Sequence, residues 1–148
     1  MNRTTATEGL SQAEIYYQVQ QFYSVQMRLL DSGDAEAWAG TFTEDGVFHQ
    51  NVDPEPLRGR PAIIAAAARR IEAIRSDGLT RRHWLGMLEV RPQPDGTVRT
   101  HYYAIAMATP AGGKLEVYVS TVNEDHLVAG ADGGWLVEHR TVVHDGRG

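Results

Sequence analysis

Apolar residues recur every three or four positions along the first half of the chain, which is the period of amphipathic helices. The first helical stretch follows Ser11, and Glu14 stands three residues later, which is the spacing of a capping box. This helix is predicted to end at Gly33, and Asp34 is predicted to cap a short second helix. A third helix is predicted to begin with Pro61 in its first turn.

The second half of the chain changes to the alternation typical of strands. Long strands are predicted over 83–90, 97–109, 114–123 and 135–144, because Gly, Pro and Asp clusters separate them. A shorter strand is expected over 47–51. Helices followed by a strand meander predict an α+β fold in which the helices pack on one face of a curved antiparallel sheet. The other face would expose apolar surface, so we expect a homodimer through it.

Length and composition narrow the possible functions. The 148 residues favour one domain, over 11–146, preceded by a disordered lead over 1–10. A net charge of −5 argues against nucleic acid or an anionic membrane as the partner. The polar first ten residues lack the apolar core of a signal peptide, and no apolar run approaches the roughly 20 residues of a spanning helix. We therefore expect a cytoplasmic protein.

The sequence predicts neither a metal nor a cofactor. Cysteine is absent, which excludes disulfides, thiolate catalysis and thiolate zinc sites. The six histidines lack the spacing of a helical zinc motif. The glycine-rich run 130–134 is predicted to be a hairpin turn, since no helix with Lys-Ser/Thr follows it.

Asp31 and His83 are the candidate catalytic residues. Asp31 lies at the end of the apolar face of the first helix, and His83 lies near the start of the first long strand. A carboxylate bonded to an imidazole fixes its tautomer and raises its basicity, so the histidine becomes a general base near neutral pH. The residues alone also admit a structural interpretation, in which Asp31 caps the turn and His83 is a core histidine.

Polar side chains on apolar surfaces are further candidates for substrate contact. Gln26 and Gln50 would hold a carbonyl group, unless they bond each other or the backbone. His49 faces away from Gln50 unless a bulge intervenes. By strand alternation Met87 shares the face of His83, whereas Tyr103 belongs to one of two alternate sets. The predicted substrate-binding side chains are Gln26, Gln50, His49, Trp38, Phe48, Tyr23, Met87 and Tyr103. A structural ion-pair set is predicted for Asp125, Glu138 and Arg140.

Several motifs resemble the nuclear transport factor 2-like superfamily, and within it the SnoaL-like and scytalone dehydratase-like branch. They are Leu30-Asp31-Ser32-Gly33-Asp34, Phe42-Thr43-Glu44-Asp45-Gly46-Val47-Phe48, Leu57-Arg58-Gly59-Arg60, Arg82-His83-Trp84-Leu85-Gly86 and Gly134-Trp135-Leu136-Val137. The resemblance extends over residues 12–145. It implies a cone-shaped curved antiparallel sheet with three N-terminal helices enclosing a pocket, a cystatin-like α+β barrel.

The resemblance also implies site residues and an activity. Asp31 and His83 match the helix aspartate and strand histidine of the dehydratases in this branch. The base of ketosteroid isomerase falls at Gln50 and its oxyanion-hole tyrosine at Gln26, which excludes that base. The implied function is a cofactor-independent cyclase, dehydratase or isomerase that acts on a hydrophobic, carbonyl-bearing polyketide-type metabolite through an enol or enolate. Two alternatives are a non-catalytic protein that binds a biosynthetic intermediate and an accessory subunit similar to a dioxygenase β subunit.

Overall fold

Within residues 7–147, which the computed structural model describes, three helices pack on one face of a six-stranded sheet. The elements are α1 (Gln12–Asp31), α2 (Ala35–Ala39), β1 (Phe42–Gln50), β2 (Leu57–Arg58), α3 (Arg60–Ser76), β3 (Leu79–Pro92), β4 (Val98–Pro110), β5 (Glu116–Ala129) and β6 (Trp135–His144). The predicted α+β class is confirmed. None of these helices combines the length and apolar character that crossing a bilayer requires.

The helix boundaries follow the capping signals of the sequence. The Glu14 N–H donates to Ser11 Oγ over 3.1 Å at the start of α1, and the Ala37 N–H donates to Asp34 Oδ1 over 3.0 Å in α2. Gly33 turns the chain between these helices with a φ of 87°, a conformation that glycine adopts without strain. The predicted disordered lead falls partly outside the described residues, but residues 7–9 form a turn and Leu10 packs against the core.

The sheet has the strand order β2-β1-β6-β5-β4-β3. All neighbours are antiparallel except β1 and β6, which run parallel. The expected antiparallel sheet is therefore mixed at this pair, because the chain passes through α3 and three long strands before β6 lies against β1. β2 and β3 stand at the two edges, so the sheet is not closed into a barrel.

Strand alternation gives the sheet an inner face, which is the side covered by the helices, and an outer face. The core fills part of the inner face with fully buried side chains from α1, α3 and the long strands: Val19, Ile63, Val98, Leu127 and Val137. The inner face beside this core is not filled, because the helices stand away from the sheet there and leave a cavity.

Candidate active site

A cavity of about 770 Å³ lies between the helices and the inner face of the sheet. Apolar side chains, among them Met27, Leu30, Trp38, Phe48 and Ile63, form much of its wall. The polar side chains in the wall include Gln50, Arg81, His83, Asn123, Arg140 and His144. A largely apolar wall with a few polar groups is typical of a site for a small organic molecule.

His83 enters this wall from β3 and is held by Asp31, the last residue of α1. Asp31 Oδ1 lies 2.6 Å from His83 Nδ1, and Asp31 Oδ2 accepts the backbone N–H of His83 over 3.0 Å. The side chain of Asp31 is only 10% exposed, and that of His83 is only 17% exposed. Since the carboxylate accepts the proton of Nδ1, the lone pair of the imidazole is on Nε2. Nε2 forms no hydrogen bond with another described residue.

A buried ion pair lies beside the cavity, and its arginine lines the cavity wall. Arg140 of β6 and Asp125 of β5 are opposite in register, and two hydrogen bonds of 2.9 Å join the guanidinium to the carboxylate. The hydroxyls of Tyr23 and Tyr102 also donate to Asp125 Oδ2, over 2.6 and 3.1 Å. Burial with several partners is the condition under which such a pair is retained in a core.

Burial and the charge of Asp125 together shift the pKa values of Arg140, Tyr23 and Tyr102. Burial acts to lower the pKa of Arg140, but the neighbouring Asp125 carboxylate outweighs it and the pKa is raised. Burial, followed by the charge of Asp125, raises the pKa of Tyr23 well above its ordinary value. Burial is also the main cause of the raised pKa of Tyr102, to which Asp125 contributes. The network therefore holds a permanent cation and two neutral phenols at neutral pH.

A second histidine lines the cavity on the side opposite β3. His144 Nε2 lies 2.8 Å from Gln50 Oε1, and Gln50 Nε2 donates to Asp53 Oδ2 over 3.1 Å. Burial, and next the positive charge of Arg147, lowers the pKa of His144. His144 is therefore neutral at neutral pH and donates its Nε2 proton to Gln50. Within residues 7–147, no group of three His, Asp or Glu side chains is placed to hold a metal ion.

The family model for the SnoaL-like domain matches residues 11–141. The chain belongs to the SnoaL-like family. This confirms the resemblance found in the sequence motifs. No curated protein sequence matches this SnoaL-like protein.

Solved structures agree with this assignment. Aln2 from a Streptomyces species has 36% identity and a TM-score of 0.83, over 92% of this chain and 94% of that one. ActVI-ORFA from Streptomyces coelicolor has 32% identity and a TM-score of 0.83, over 90% and 97%. A Catenulispora acidiphila protein in complex with S-DNPA has 39% identity and a TM-score of 0.79, over 92% and 97%. SnoaL-like relatives of nearly the same length thus share the fold.

The structure places five of the predicted site residues together. Asp31 and His83 are hydrogen bonded, and His83, Gln50, Trp38 and Phe48 line the cavity of the SnoaL-like domain. Trp38 and Phe48 pack edge to face, with ring centroids 5.9 Å apart.

Two predicted substrate contacts, Gln26 and Tyr23, are instead part of the buried network. Gln26 donates to Thr41 Oγ1 over 2.7 Å and accepts from Arg140 over 2.6 Å, so its amide is satisfied inside the protein. Tyr23 bonds Asp125, as described above. Neither side chain lines the cavity. A buried polar group on a helix needs a partner, and here Thr41, just before β1, and Arg140 of β6 supply it.

Three other predicted contacts lie away from the cavity. Met87 was expected on the face of His83, but the register shifts between Gly86 and Glu89 and Met87 adopts a φ of 54°, so it is 78% exposed. Tyr103 lies on the outer face, because Tyr102 belongs to the alternate set that faces inward. His49 does not line the cavity, since the pairing of β1 with β6 is regular from Val47 onward and keeps it opposite Gln50.

Several residues that line the cavity are not among the site residues predicted from the sequence: Arg81, Tyr102, Asn123 and His144. Arg140, which also lines it, was predicted only as part of an ion-pair set. Of that set, Glu138 instead pairs with His126 at 3.1 Å on the outer face. A signal for Arg81 was available, because it stands two positions before His83 and so shares its face of the strand.

Proposed function

We propose that this SnoaL-like protein is a cofactor-independent enzyme that cyclises, dehydrates or isomerises a hydrophobic, carbonyl-bearing polyketide-type metabolite. The observation that carries the proposal is the hydrogen bond of 2.6 Å between His83 and Asp31 at the wall of a largely apolar cavity. The likeness to a Catenulispora acidiphila protein whose structure contains S-DNPA supports a small-molecule ligand. Trp38 and Phe48 would pack against its rings.

The reaction begins with removal of a proton from the carbon next to a substrate carbonyl. His83 Nε2 accepts this proton, and the C–H electron pair forms an enolate. Asp31 stabilises the resulting imidazolium, because its carboxylate already bonds Nδ1. Gln50 can donate to the enolate oxygen, since its amide nitrogen carries a second hydrogen besides the one given to Asp53.

The imidazolium then returns the proton, and the substrate determines the product. In a dehydration the enolate expels a hydroxyl group from the neighbouring carbon, and the proton converts it to water. In a cyclisation the enolate carbon attacks a second carbonyl, and the proton goes to the new alkoxide. In an isomerisation the proton returns to a different carbon. In each route His83 returns the proton that it took and the substrate undergoes no net oxidation or reduction, so no redox partner is needed.

Replacing the gene in its host by the His83→Ala form tests this proposal. We expect the strain to accumulate an uncyclised or hydrated precursor, detected by mass spectrometry of the culture extract, as a full deletion would. The variant protein must first be shown to be folded and expressed. If its metabolite profile matches the wild type while the deletion does not, the pair is structural and the protein is a binding protein. Activity of the purified protein alone would count against an accessory subunit.

We also propose a homodimer formed through the outer face of the sheet, in a cytoplasmic protein without nucleic-acid or membrane partners. Neighbouring strands place apolar side chains in one outer band: Trp84, Tyr103, Val122 and Val143. Trp84 and Tyr103 are 67% and 51% exposed, and neighbouring exposed apolar side chains of this kind are typical of an interaction surface.

Sedimentation velocity at micromolar concentration tests the dimer. We expect a dimer for the wild type and a shift to monomer for Trp84→Glu, because Trp84 is the most exposed aromatic side chain of the band and a carboxylate in its place would be desolvated in the interface. Val25→Glu is the matched control, since Val25 is exposed on α1 away from the band, and it should remain dimeric. A monomeric wild type would refute the proposal.

A further inference from the structure

Arg81 has no partner for its positive charge. The residue is only 7% exposed, and its Nε is completely enclosed without a hydrogen bond. The guanidinium forms no salt bridge or hydrogen bond with any residue between 7 and 147. An unpaired cation in a protein interior is strongly unfavourable, so such a group is expected to meet an anion that the free protein does not itself supply.

The other charges around the cavity do not compensate Arg81. Arg140 is already neutralised by Asp125. Arg70 is exposed and lies over the ring of Tyr118 at 5.6 Å. Of the residues that line the cavity, Asp145 alone carries a carboxylate, and it is exposed and accepts a hydrogen bond of 2.6 Å from Ser120. Asp31 is also close to this wall, but both of its carboxylate oxygens bond His83, so no carboxylate of the described residues pairs with Arg81.

A second unpaired donor lies in the same wall. Within the described residues, the buried side-chain polar atoms without a hydrogen bond are Arg81 Nε and Trp38 Nε1, and both residues line the cavity. These two nitrogens are themselves enclosed, but the terminal nitrogens of Arg81 are not among the enclosed atoms, so they are the donors that a ligand in the cavity can reach. A ligand that pairs with these terminal nitrogens would bring a negatively charged acceptor group to Arg81.

We propose that Arg81 binds a carboxylate group of the substrate. A guanidinium matches a planar carboxylate with two parallel hydrogen bonds, and a single cation balances a single negative charge. A phosphate group carries up to two charges and is less well matched by one enclosed arginine. The assignment rests on the proposed function, because the ligand is the substrate proposed there, a carbonyl compound that also carries a carboxylic acid.

The position of Arg81 also limits where the substrate reacts. Arg81 and His83 stand two residues apart on the same face of β3, and two strand residues span about 7 Å. A substrate whose carboxylate bonds Arg81 therefore presents to His83 a carbon that lies a few bonds from the acid group. Arg81 would thus be a binding residue that selects acids and sets their register, whereas His83 carries the proton.

Titration calorimetry with naphthalene carboxylate and its uncharged carboxamide tests the assignment. We expect the wild type to bind the carboxylate roughly tenfold to a hundredfold more tightly than the amide, as a charge-assisted bond provides. Arg81→Gln should lose this preference while keeping its affinity for the amide. Arg82→Gln is the matched control and should behave as the wild type, because Arg82 is exposed and does not line the cavity.

Three results would overturn the assignment. They are equal binding of the two probes by the wild type, an equal loss of preference in Arg82→Gln, and displacement of the carboxylate by inorganic phosphate at similar concentration.

The melting temperature gives a readout that does not depend on ligands. Arg81→Met should melt no lower than the wild type, because it removes an unpaired buried charge. A clear fall would instead indicate a structural role for Arg81.

Failure of this inference can be distinguished from failure of the proposed function. The probes have no acidic proton next to a carbonyl and undergo no reaction, so their binding does not depend on catalysis. His83→Gln should therefore keep the preference for the carboxylate. If the preference is found but the His83→Ala strain has a wild-type profile, the protein binds organic acids without acting on them. If the preference is absent but the precursor accumulates, the substrate is not bound as an acid at Arg81.

Discussion

The Asp31→Asn protein is expected to fold normally and to lose about 10²- to 10⁴-fold in kcat, which is the range that general acid–base catalysis contributes. The amide oxygen can still accept the backbone N–H of His83, as Asp31 Oδ2 does now over 3.0 Å. The amide nitrogen would then face Nδ1 and donate to it. This forces the proton of the imidazole onto Nε2, so the nitrogen at the substrate can no longer accept a proton.

Steady-state kinetics with the precursor identified by metabolite profiling measures this loss. Asp34→Asn is the matched control, because it is the same chemical change three residues along the chain. Asp34 caps α2 through the Ala37 N–H, and asparagine caps a helix equally well, so this variant should keep both rate and stability. An Asp31→Asn enzyme with wild-type kcat would show that the tautomer of His83 does not matter and would remove His83 as the base.

Asp125→Ala is expected to lower the free energy of unfolding by about 3–5 kcal/mol, the cost of leaving a buried charge without its partner. Arg140 would lose both hydrogen bonds of 2.9 Å while remaining fully enclosed. The hydroxyls of Tyr23 and Tyr102 would lose their shared acceptor as well. For a domain of this size the melting temperature should fall by more than about 6 °C.

Urea unfolding followed by circular dichroism measures the change. Glu138→Ala serves as the control, because Glu138 pairs with His126 on the outer face, where the carboxylate side chain is 52% exposed and an ion pair stabilises by less than about 1 kcal/mol. The double variant Asp125→Leu with Arg140→Met should recover much of the loss, since it removes both charges. A loss below about 1 kcal/mol in Asp125→Ala would contradict the role of this ion pair.

The features that depend on interactions between residues close in sequence could be predicted from the sequence. The caps at Ser11 and Asp34 act over three residues, and both helix starts were predicted correctly. The Asp31–His83 contact joins residues 52 apart, yet it was predicted, because each residue lies at the end of a strongly patterned element and resembles a known position. The α+β class followed from the change of period between the two halves of the chain.

The orientations and partners of the other site residues depend on tertiary packing, which the local sequence pattern does not show. Alternation divides β4 into two sets, but only packing against α1 decides that Tyr102 faces inward and Tyr103 outward. A single bulge moved Met87 off the face of His83. The sequence pattern does not show that Gln26 bonds Arg140, because the two residues are 114 positions apart. Interactions of this range cannot be inferred from spacing.

The parallel pairing of β1 with β6 determines when the protein can fold during its synthesis. In the order β2-β1-β6-β5-β4-β3, β6 alone joins the β1–β2 ribbon to the β3–β5 meander. Until the ribosome has released β6, these two parts have no common ladder, and Gln26 has no guanidinium to bond. Contacts so distant in sequence also favour folding in milliseconds to seconds. A nascent chain without β6 therefore lacks the part of the cavity wall that β6 forms, and the site is completed in the same step that completes the sheet.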